Sequence, residues 1–263
     1  MASTILKMTD VTHYFGGLRA VGDFNLNMEE GQLMGLIGPN GAGKTTVFNL
    51  ITGVYKATHG SIELAGRELV GLPPFSISEA GVARTFQTIR LYGALPVIDN
   101  VNLGRHLRGT YGLVPAILRL PAFYKGEKEF EEKAMELLEL FGLEDRAYEN
   151  AASLPYGEQR RLEICRALAS DPKLLLLDEP AAGMNPQEIG ELIDLIKWVH
   201  DHFDISILLI EHQMRVVMGV CPHIVVMDFG EVIARGTPEE IQNDRRVIEA
   251  YLGSDEDDDE EVA

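Results

Sequence analysis

The sequence is poor in positive charge. It contains 23 lysines and arginines against 41 aspartates and glutamates, which gives a net charge of −18. Proteins that bind a phosphate backbone need clustered positive side chains, so this deficit argues against nucleic acid as a partner. Residues 255–261 are all acidic. The rest of the chain is therefore less acidic than the total suggests.

Cysteines and long apolar runs are also scarce. The two cysteines, Cys165 and Cys221, lie in apolar segments, and we expect two reduced core thiols. No apolar run approaches the roughly 20 residues that span a bilayer. The first ten residues lack the basic start and apolar core of a signal peptide. These absences predict a cytoplasmic protein.

The pattern of apolar residues predicts an α/β protein. In a chain of 263 residues with 46% apolar content, we expect one large domain, with room for a sizeable insertion. Short strands are predicted early in the chain, at Ile5–Val11, Phe24–Met28, Leu33–Ile37 and Ser61–Leu64, with a helix from Lys44 to about Thr52. Later, strands and helices alternate at Leu174–Leu177, Pro186–His202, Ile205–Ile210, Gln213–Val220 and Ile224–Met227. Such alternation indicates a parallel sheet with crossover helices.

The segment between these two parts has a different character. Residues 76–168 are predicted to be mostly helical, and Gly126–Phe141 has the spacing of an amphipathic helix. A second helix, Gly157–Ala169, is predicted to be basic on one face, through Arg160 and Arg161. We interpret the segment as a helical insertion into the α/β domain. The last residues, 254–263, form an acidic tail that we expect to be disordered.

One glycine-rich segment follows the apolar strand Leu33–Ile37 directly. Glycines let the backbone turn so that its N–H groups point at phosphate oxygens, and the next helix adds its positive N-terminal end. In this P-loop pattern, Lys44 reaches the β- and γ-phosphates and Thr45 offers a hydroxyl to Mg²⁺. We predict a nucleotide site formed by Gly38, Pro39, Asn40, Gly41, Ala42, Gly43, Lys44, Thr45 and Thr46.

Two further strands end in side chains suited to phosphate chemistry. The apolar run Leu174–Leu177 leads to Asp178 and Glu179, at the strand end where α/β sheets bind ligands. We predict that Asp178 holds Mg²⁺ through water and that Glu179 orients and deprotonates the attacking water. His212 follows another apolar strand closely. A lone histidine is usually structural, but at this edge it can reach a γ-phosphate.

Together these motifs resemble the ATP-binding cassette (ABC) family over nearly the whole chain. The resemblance implies ATP and Mg²⁺ as ligands. It makes Gln87, in Arg84-Thr-Phe-Gln87, the Q-loop glutamine, which touches Mg²⁺ and the water and leads toward the membrane partner. His212 corresponds to the switch histidine. Phe15 corresponds to the aromatic that stacks on adenine, with an ordinary core aromatic as the alternative.

The family resemblance also implies the fold class. We expect an α/β P-loop NTPase of the ABC ATPase type, with an antiparallel β subdomain and a RecA-like parallel-sheet core. The ABC ATPase domain should cover residues 1–253, with the helical subdomain inserted at about 88–168.

Two positions depart from the family pattern. The signature Leu-Ser-Gly-Gly-Gln appears as Leu154-Pro-Tyr-Gly-Glu158, so Pro155 replaces the serine that contacts the γ-phosphate of the partner's ATP. Asn185 stands where the family usually has aspartate. The resemblance still makes Tyr156, Gly157 and Glu158 nucleotide-binding residues, and proline is tolerated where a helix begins.

Several longer stretches resemble the ATPases of branched-chain amino-acid importers, including the atypical signature. They are Phe15–Gly17, Arg84–Leu91, the insertion around Leu113–Tyr124, Tyr156–Ile164, Glu179–Pro186, Gly236–Ile241 and Val247–Gly253. The resemblance implies membrane permease subunits, an extracytoplasmic solute-binding protein and a second cassette ATPase as partners. It places this chain on the inner face of the membrane through the permease. Homodimer and heterodimer both remain open.

Other functions fit the sequence less well. The ATPase of lipopolysaccharide export has an intact signature, whereas ATPases for amide or urea import remain possible. Soluble cassette proteins that act on ribosomes or DNA usually carry two cassettes or basic surfaces. A GTPase would need an Asn-Lys-x-Asp element, which is absent here.

Overall fold

The computed structural model describes residues 3–105 and 121–258. The chain divides into two compact units: Met1–Arg84 with Lys173–Ala263, and Thr85–Pro172. The helical insertion predicted at about 88–168 falls within the second unit. Of the stretch Leu113–Tyr124, residues 113–120 lie outside the described residues.

A four-stranded antiparallel sheet lies in the first unit. Its strands are β1 (Thr4–Phe15), β2 (Leu18–Glu29), β4 (His59–Leu64) and β5 (Arg67–Glu68), in the order β2-β1-β4-β5. Three of the four predicted early strands are found here, whereas Leu33–Ile37 belongs to the second sheet; β1 and β2 are longer than expected. Both strands continue into a tight turn, where Phe15 pairs with Leu18. Polar residues near the turn, among them the buried Thr12 and His13, interrupt the apolar pattern and obscured the strand ends.

The second sheet of this unit has six strands. They are β3 (Leu33–Ile37), β6 (Val82–Arg84), β7 (Leu174–Asp178), β8 (Ser206–Ile210), β9 (His223–Asp228) and β10 (Glu231–Gly236). The order is β10-β9-β3-β8-β7-β6. Every neighbouring pair is parallel except β10 with β9. The parallel sheet is as predicted, whereas β6 and β10 were not.

The described residues contain helices in both units. They are α1 (Lys44–Ile51), α2 (Pro74–Ala80), α3 (Val97–Arg105), α4 (Pro121–Leu140), α5 (Tyr156–Leu168), α6 (Pro186–Phe203), α7 (Met214–Val220), α8 (Pro238–Asn243) and α9 (Arg245–Asp258). None of these helices is long and apolar enough to cross a membrane.

One apolar core joins both sheets of the first unit. It includes Phe24 of β2, Phe48 of α1, Leu176 of β7 and Met227 of β9, all fully buried. Burial of apolar side chains stabilises the fold by about 25 cal/mol for each Å² removed from water. Burial of α1 in this core fixes the helix that follows the glycine-rich loop.

In the second unit, α3 and α5 approach each other closely at Gly104. A Cβ atom there would lie 2.2 Å from the backbone oxygen of Arg166, so glycine is required for this approach. The buried Asn100 side chain holds the preceding loop, because its amide oxygen accepts from the Tyr92 N–H and its amide nitrogen donates to the Pro96 carbonyl. Cys165 of α5 is buried, as expected for a core thiol.

The acidic C-terminal segment differs in part from the prediction. Helix α9 continues to Asp258, so residues 254–258 are helical, and 259–263 lie outside the described residues. Once a helix has formed, each added residue gains a backbone hydrogen bond at little cost. Acidic composition alone therefore placed the end of ordered structure too early.

Candidate nucleotide-hydrolysis site

The candidate site lies along one edge of the six-stranded sheet. Strands β3, β7, β8 and β9 run parallel, so their carboxyl ends meet at the same edge. Strand β3 leads into the glycine-rich loop, β7 ends at Asp178, and β8 leads to His212. The predicted P-loop and acidic residues are therefore brought together by the order of the strands.

Two glycines of the loop have no space for a side chain. Gly38 has φ +151°, and a Cβ there would lie 2.0 Å from the Met227 backbone oxygen. Gly43 has φ +100°, and its Cβ would lie 2.6 Å from the Ala20 oxygen. The loop therefore wraps closely against neighbouring backbone, and only glycine at these positions allows that path.

Lys44 lies inside the loop. Its Nζ donates to the carbonyls of Gly38 and Pro39, both at 2.7 Å, and the residue is only 5% exposed. Burial lowers the pKa of Lys44, while the nearby charges of Glu179 and Asp178 oppose that shift. The two carbonyls therefore hold the ammonium group inside the loop, where phosphate oxygens would offer further acceptors.

Asp178 is paired with an arginine that the sequence analysis did not single out. Arg84, the last residue of β6, donates from Nη2 to Asp178 Oδ2 at 2.6 Å, and both side chains are more than 90% buried. Arg84 also donates to Asn49 Oδ1 of α1 at 2.8 Å. This guanidinium therefore links the helix after the P-loop to the end of β7.

Replacing Arg84 with alanine should lower the free energy of unfolding by about 3–5 kcal/mol, because the Asp178 carboxylate would stay buried without its cation. Chemical denaturation of the full chain measures this change. As a matched control, Arg245→Ala removes an exposed i,i+4 pair with Glu249 and should cost less than about 0.5 kcal/mol. Equal losses in the two variants would contradict the assigned role of the buried pair.

Glu179 and His212 lie close together after β7 and β8. His212 Nδ1 is 3.6 Å from Glu179 Oε2, and the two side chains are 48% and 14% exposed. The Glu179 N–H donates to the Ile210 carbonyl at 2.9 Å, which joins the two loops. Glu179 also has φ +45°, a left-handed backbone conformation that is rare for this residue type.

Phe15 lies on the four-stranded sheet at the end of β1. Its ring packs edge-on against His13 (4.7 Å between centroids) and Tyr55 (5.2 Å). Tyr55 follows α1, and its N–H donates to the Asn49 carbonyl of that helix. The Phe15 residue is 43% exposed, so one side of the ring is accessible for stacking.

Gln87 and the signature segment belong to the second unit. The Gln87 residue is exposed, and its backbone carbonyl accepts from Arg160 Nη2 at 3.0 Å. Arg160 also donates to the Phe86 carbonyl at 2.9 Å and pairs with Glu163 at 2.6 Å. The Arg160 and Glu163 side chains are 1% and 0% exposed. The prediction that Arg160 lies on a basic face of its helix is therefore wrong, because an internal partner three residues on makes its burial favourable.

The signature helix α5 begins directly after Pro155. This residue is the N-cap, with no side-chain hydrogen bond to the helix, and its carbonyl accepts from the Gln159 N–H. Tyr156 is 40% exposed, whereas Gly157 and Glu158 are partly buried. Since the first N–H groups of a helix have no partner within it, the backbone at these positions remains suited to an anion.

Asn185 acts as an effective helix N-cap. Its side chain accepts from the N–H groups of Gln187 and Glu188, and Glu188 bonds back to the Asn185 N–H. Asparagine and aspartate serve this position about equally well. The departure from the family pattern at Asn185 therefore leaves the start of α6 intact.

The oxygen donors of the first unit fit a magnesium ion. Thr45 offers an exposed hydroxyl and Asp178 a carboxylate, and Mg²⁺ prefers hard oxygen ligands. Gln87, the third predicted ligand, belongs to the other compact unit.

Residues 21–182 match the family model described as ABC transporter, and residues 231–257 match a model described as branched-chain amino acid ATP-binding cassette transporter. LivG of Salmonella typhimurium, a high-affinity branched-chain amino acid transport ATP-binding protein, is 47% identical over 253 residues, which cover 96% of this chain and 99% of LivG. LptB of Escherichia coli, a lipopolysaccharide export system ATP-binding protein, is 34% identical over 250 residues, 95% of this chain and 98% of LptB.

A solved structure of a transporter's ATP-binding cassette also matches this chain along nearly its full length. The ADP conformation of MJ1267, an ATP-binding cassette of an ABC transporter, matches with a TM-score of 0.83 and 30% identity, covering 95% of this chain and 99% of that one. The predicted P-loop NTPase fold class is thereby confirmed. The P-loop, the acidic end of β7 and the full-length similarity agree, and this chain belongs to the ABC transporter family as an ATP-hydrolysing, ATP-binding cassette subunit.

Proposed function

We propose that this chain hydrolyses ATP to energise the uptake of branched-chain amino acids through separate membrane permease subunits. The observation that carries the substrate class is the match of residues 231–257 to the branched-chain amino acid model, outside the general cassette match. The higher identity to LivG, 47% against 34% for LptB, supports the same class. Amide or urea import and lipopolysaccharide export are the alternatives.

The residues of the first unit have distinct roles in this proposal. The loop Gly38–Thr46 binds the phosphates through its N–H groups and Lys44, and Phe15 stacks on adenine. Glu179 orients a water molecule and takes its proton as the water attacks the γ-phosphate. His212, next to Glu179, contacts the γ-phosphate. Mg²⁺ would be held by Thr45 and, through water, by Asp178, with Gln87 of the second unit as the third proposed ligand, and it would neutralise phosphate charge.

We also propose a heterodimer with a second cassette ATPase (LivF-like). In a cassette dimer, the segment Tyr156–Glu158 of this chain would cover the partner's ATP, and Pro155 offers no hydroxyl there. One hydrogen bond to a charged phosphate is worth about 1.5–3 kcal/mol, or roughly tenfold or more. A homodimer would lack this bond at both sites. A partner with an intact signature would restore it at the site built on Lys44 and Glu179.

The assembled transporter tests this function directly. With permease subunits, the second ATPase and an extracytoplasmic solute-binding protein reconstituted at the inner membrane face, we expect ATP-dependent uptake of leucine. Gln87→Ala should lower uptake more than ATP binding, because this residue would connect nucleotide occupancy to the permease. Uptake is followed with labelled solute, and binding with a fluorescent nucleotide.

The outcomes distinguish the alternatives. Uptake of an amide or urea without leucine uptake would reject the substrate class while leaving the ATPase assignment intact. Equal loss of uptake and binding in Gln87→Ala would count against its coupling role.

A further inference from the structure

The loops that follow β7 and β8 are joined by more than the contact between Glu179 and Ile210. A buried carboxylate, Glu211, lies between them and is fully inaccessible to solvent. It accepts from three backbone N–H groups, those of Ala181 (2.8 Å), His212 (3.0 Å) and Gln213 (3.1 Å). The Gln213 side chain returns a bond, since its Nε2 donates to the Ala181 carbonyl at 3.1 Å.

These bonds use both oxygens of Glu211 for different loops. Oε1 accepts from Ala181, two residues after Glu179, and Oε2 accepts from His212 and Gln213. A glutamine has only one acceptor oxygen, and its NH₂ group would face a backbone N–H on the other side. The position therefore requires a carboxylate.

A charge at this place is costly. Burial raises the pKa of Glu211, and the three backbone N–H groups and the neighbouring His212 oppose the shift. His212 Nδ1 lies 3.9 Å from Oε2, on the side that faces Glu179. An apolar side chain would avoid the desolvation cost but could not join the two loops. The energetic cost of this carboxylate suggests that its bonds serve the site.

We propose that Glu211 is a positioning residue for ATP hydrolysis, whose carboxylate fixes the Glu179 loop and the His212 loop in one arrangement. The inference rests on the proposed roles of Glu179 and His212. It predicts that Glu211 acts on the rate of hydrolysis and not on ATP affinity, since the P-loop and Lys44 make no bond to it.

The variant Glu211→Gln tests this inference in the full chain within the assembled transporter. We expect kcat to fall about tenfold or more, the loss that corresponds to one or two hydrogen bonds to a charged group. KM and nucleotide binding should change less than about twofold, because uniform binding is untouched. Hydrogen exchange of the backbone in segments 179–182 and 211–214 should become faster, because their shared acceptor is lost.

Ser206→Ala is the matched control. Ser206 is the first residue of β8, the strand that ends directly before Glu211; it is 2% exposed and accepts from the Gly31 N–H at 2.9 Å. Its loss leaves the partly buried Gly31 N–H without this acceptor, so Tm should fall, while kcat and exchange in the Glu179 and His212 loops should not change. The inference would be overturned if Glu211→Gln kept its kcat despite faster exchange. It would also be overturned if Ser206→Ala lowered kcat by the same factor as Glu211→Gln.

A milder variant covers the case in which Glu211→Gln does not fold. Gln213→Ala removes only the returned bond to Ala181 and should lower kcat about two- to fivefold with unchanged KM. An unchanged kcat in that variant would then contradict the inference that the bonds between the two loops support hydrolysis. The proposed function is tested separately by Glu179→Gln: if that variant retained turnover, the assignment of the base would fail whatever Glu211 did.

Discussion

Replacing Glu179 with glutamine should lower steady-state ATP hydrolysis about 10²–10⁴-fold, the range supplied by a general base. ATP binding should persist, because the amide keeps the size of the side chain and leaves Lys44 unchanged. An ATP-bound dimer should therefore accumulate. Phosphate release measures turnover, and size-exclusion chromatography with ATP measures the trapped dimer.

Glu188→Gln is the control for this substitution. Glu188 accepts from the Asn185 N–H in a capping box, a role that glutamine also performs, so activity should stay near that of the unaltered chain. If Glu179→Gln kept most of its turnover, Glu179 would not be the base. In the proposed heterodimer, loss of Glu179 should reduce transport more than loss of the partner's glutamate, and the reverse order would contradict the proposed asymmetry.

Replacing Lys44 with alanine should weaken ATP binding and lower turnover about 10²–10³-fold relative to the unaltered chain, the effect of removing one charged donor from the transferring phosphate. Lys44 differs from Glu179 because it contacts the phosphates in bound ATP and contacts them more strongly in the transition state, where negative charge develops on the transferring group. Both KM and kcat should therefore change, whereas Glu179→Gln should change mainly kcat. Nucleotide titration and steady-state kinetics separate the two effects.

Lys56→Ala controls for the lost positive charge, because Lys56 is exposed and lies shortly before β4 of the four-stranded sheet. It should leave binding and turnover near their original values. A Lys44→Ala chain that bound ATP with unchanged affinity would contradict the predicted phosphate contact. Thermal unfolding of both variants shows whether any loss of activity comes from loss of structure.

The strands that lead to the candidate site could be predicted from the sequence because their signals are local. The strands Leu33–Ile37 and Leu174–Leu177 are continuous apolar runs, as strands buried on both faces must be. Their ends carry the glycines and carboxylates directly. Strand β6 was missed because only three residues form it, too few for any periodic pattern.

The pairings around the site were not accessible from sequence. Arg84 and Asp178 are 94 residues apart in the chain, and only the neighbouring positions of β6 and β7 bring them together. Glu211 directly precedes His212 in the sequence, but its proposed role depends on a hydrogen bond from Ala181 in another loop. Arg160 appeared to be a solvated basic residue, since its burial depends on hydrogen bonds to the backbone of residues 86 and 87.

The backbone conformation of Glu179 has a consequence for how such a site changes over generations. At φ +45°, most residues other than glycine cost about 1–2 kcal/mol, and asparagine or glycine adopts this backbone conformation more easily. Substitutions that remove the proposed catalytic carboxylate can therefore relieve strain in the fold. Selection for folding alone would favour losing the base, and only selection for turnover retains it. In a paired transporter, a subunit released from hydrolysis would drift toward an inactive site without losing its structure.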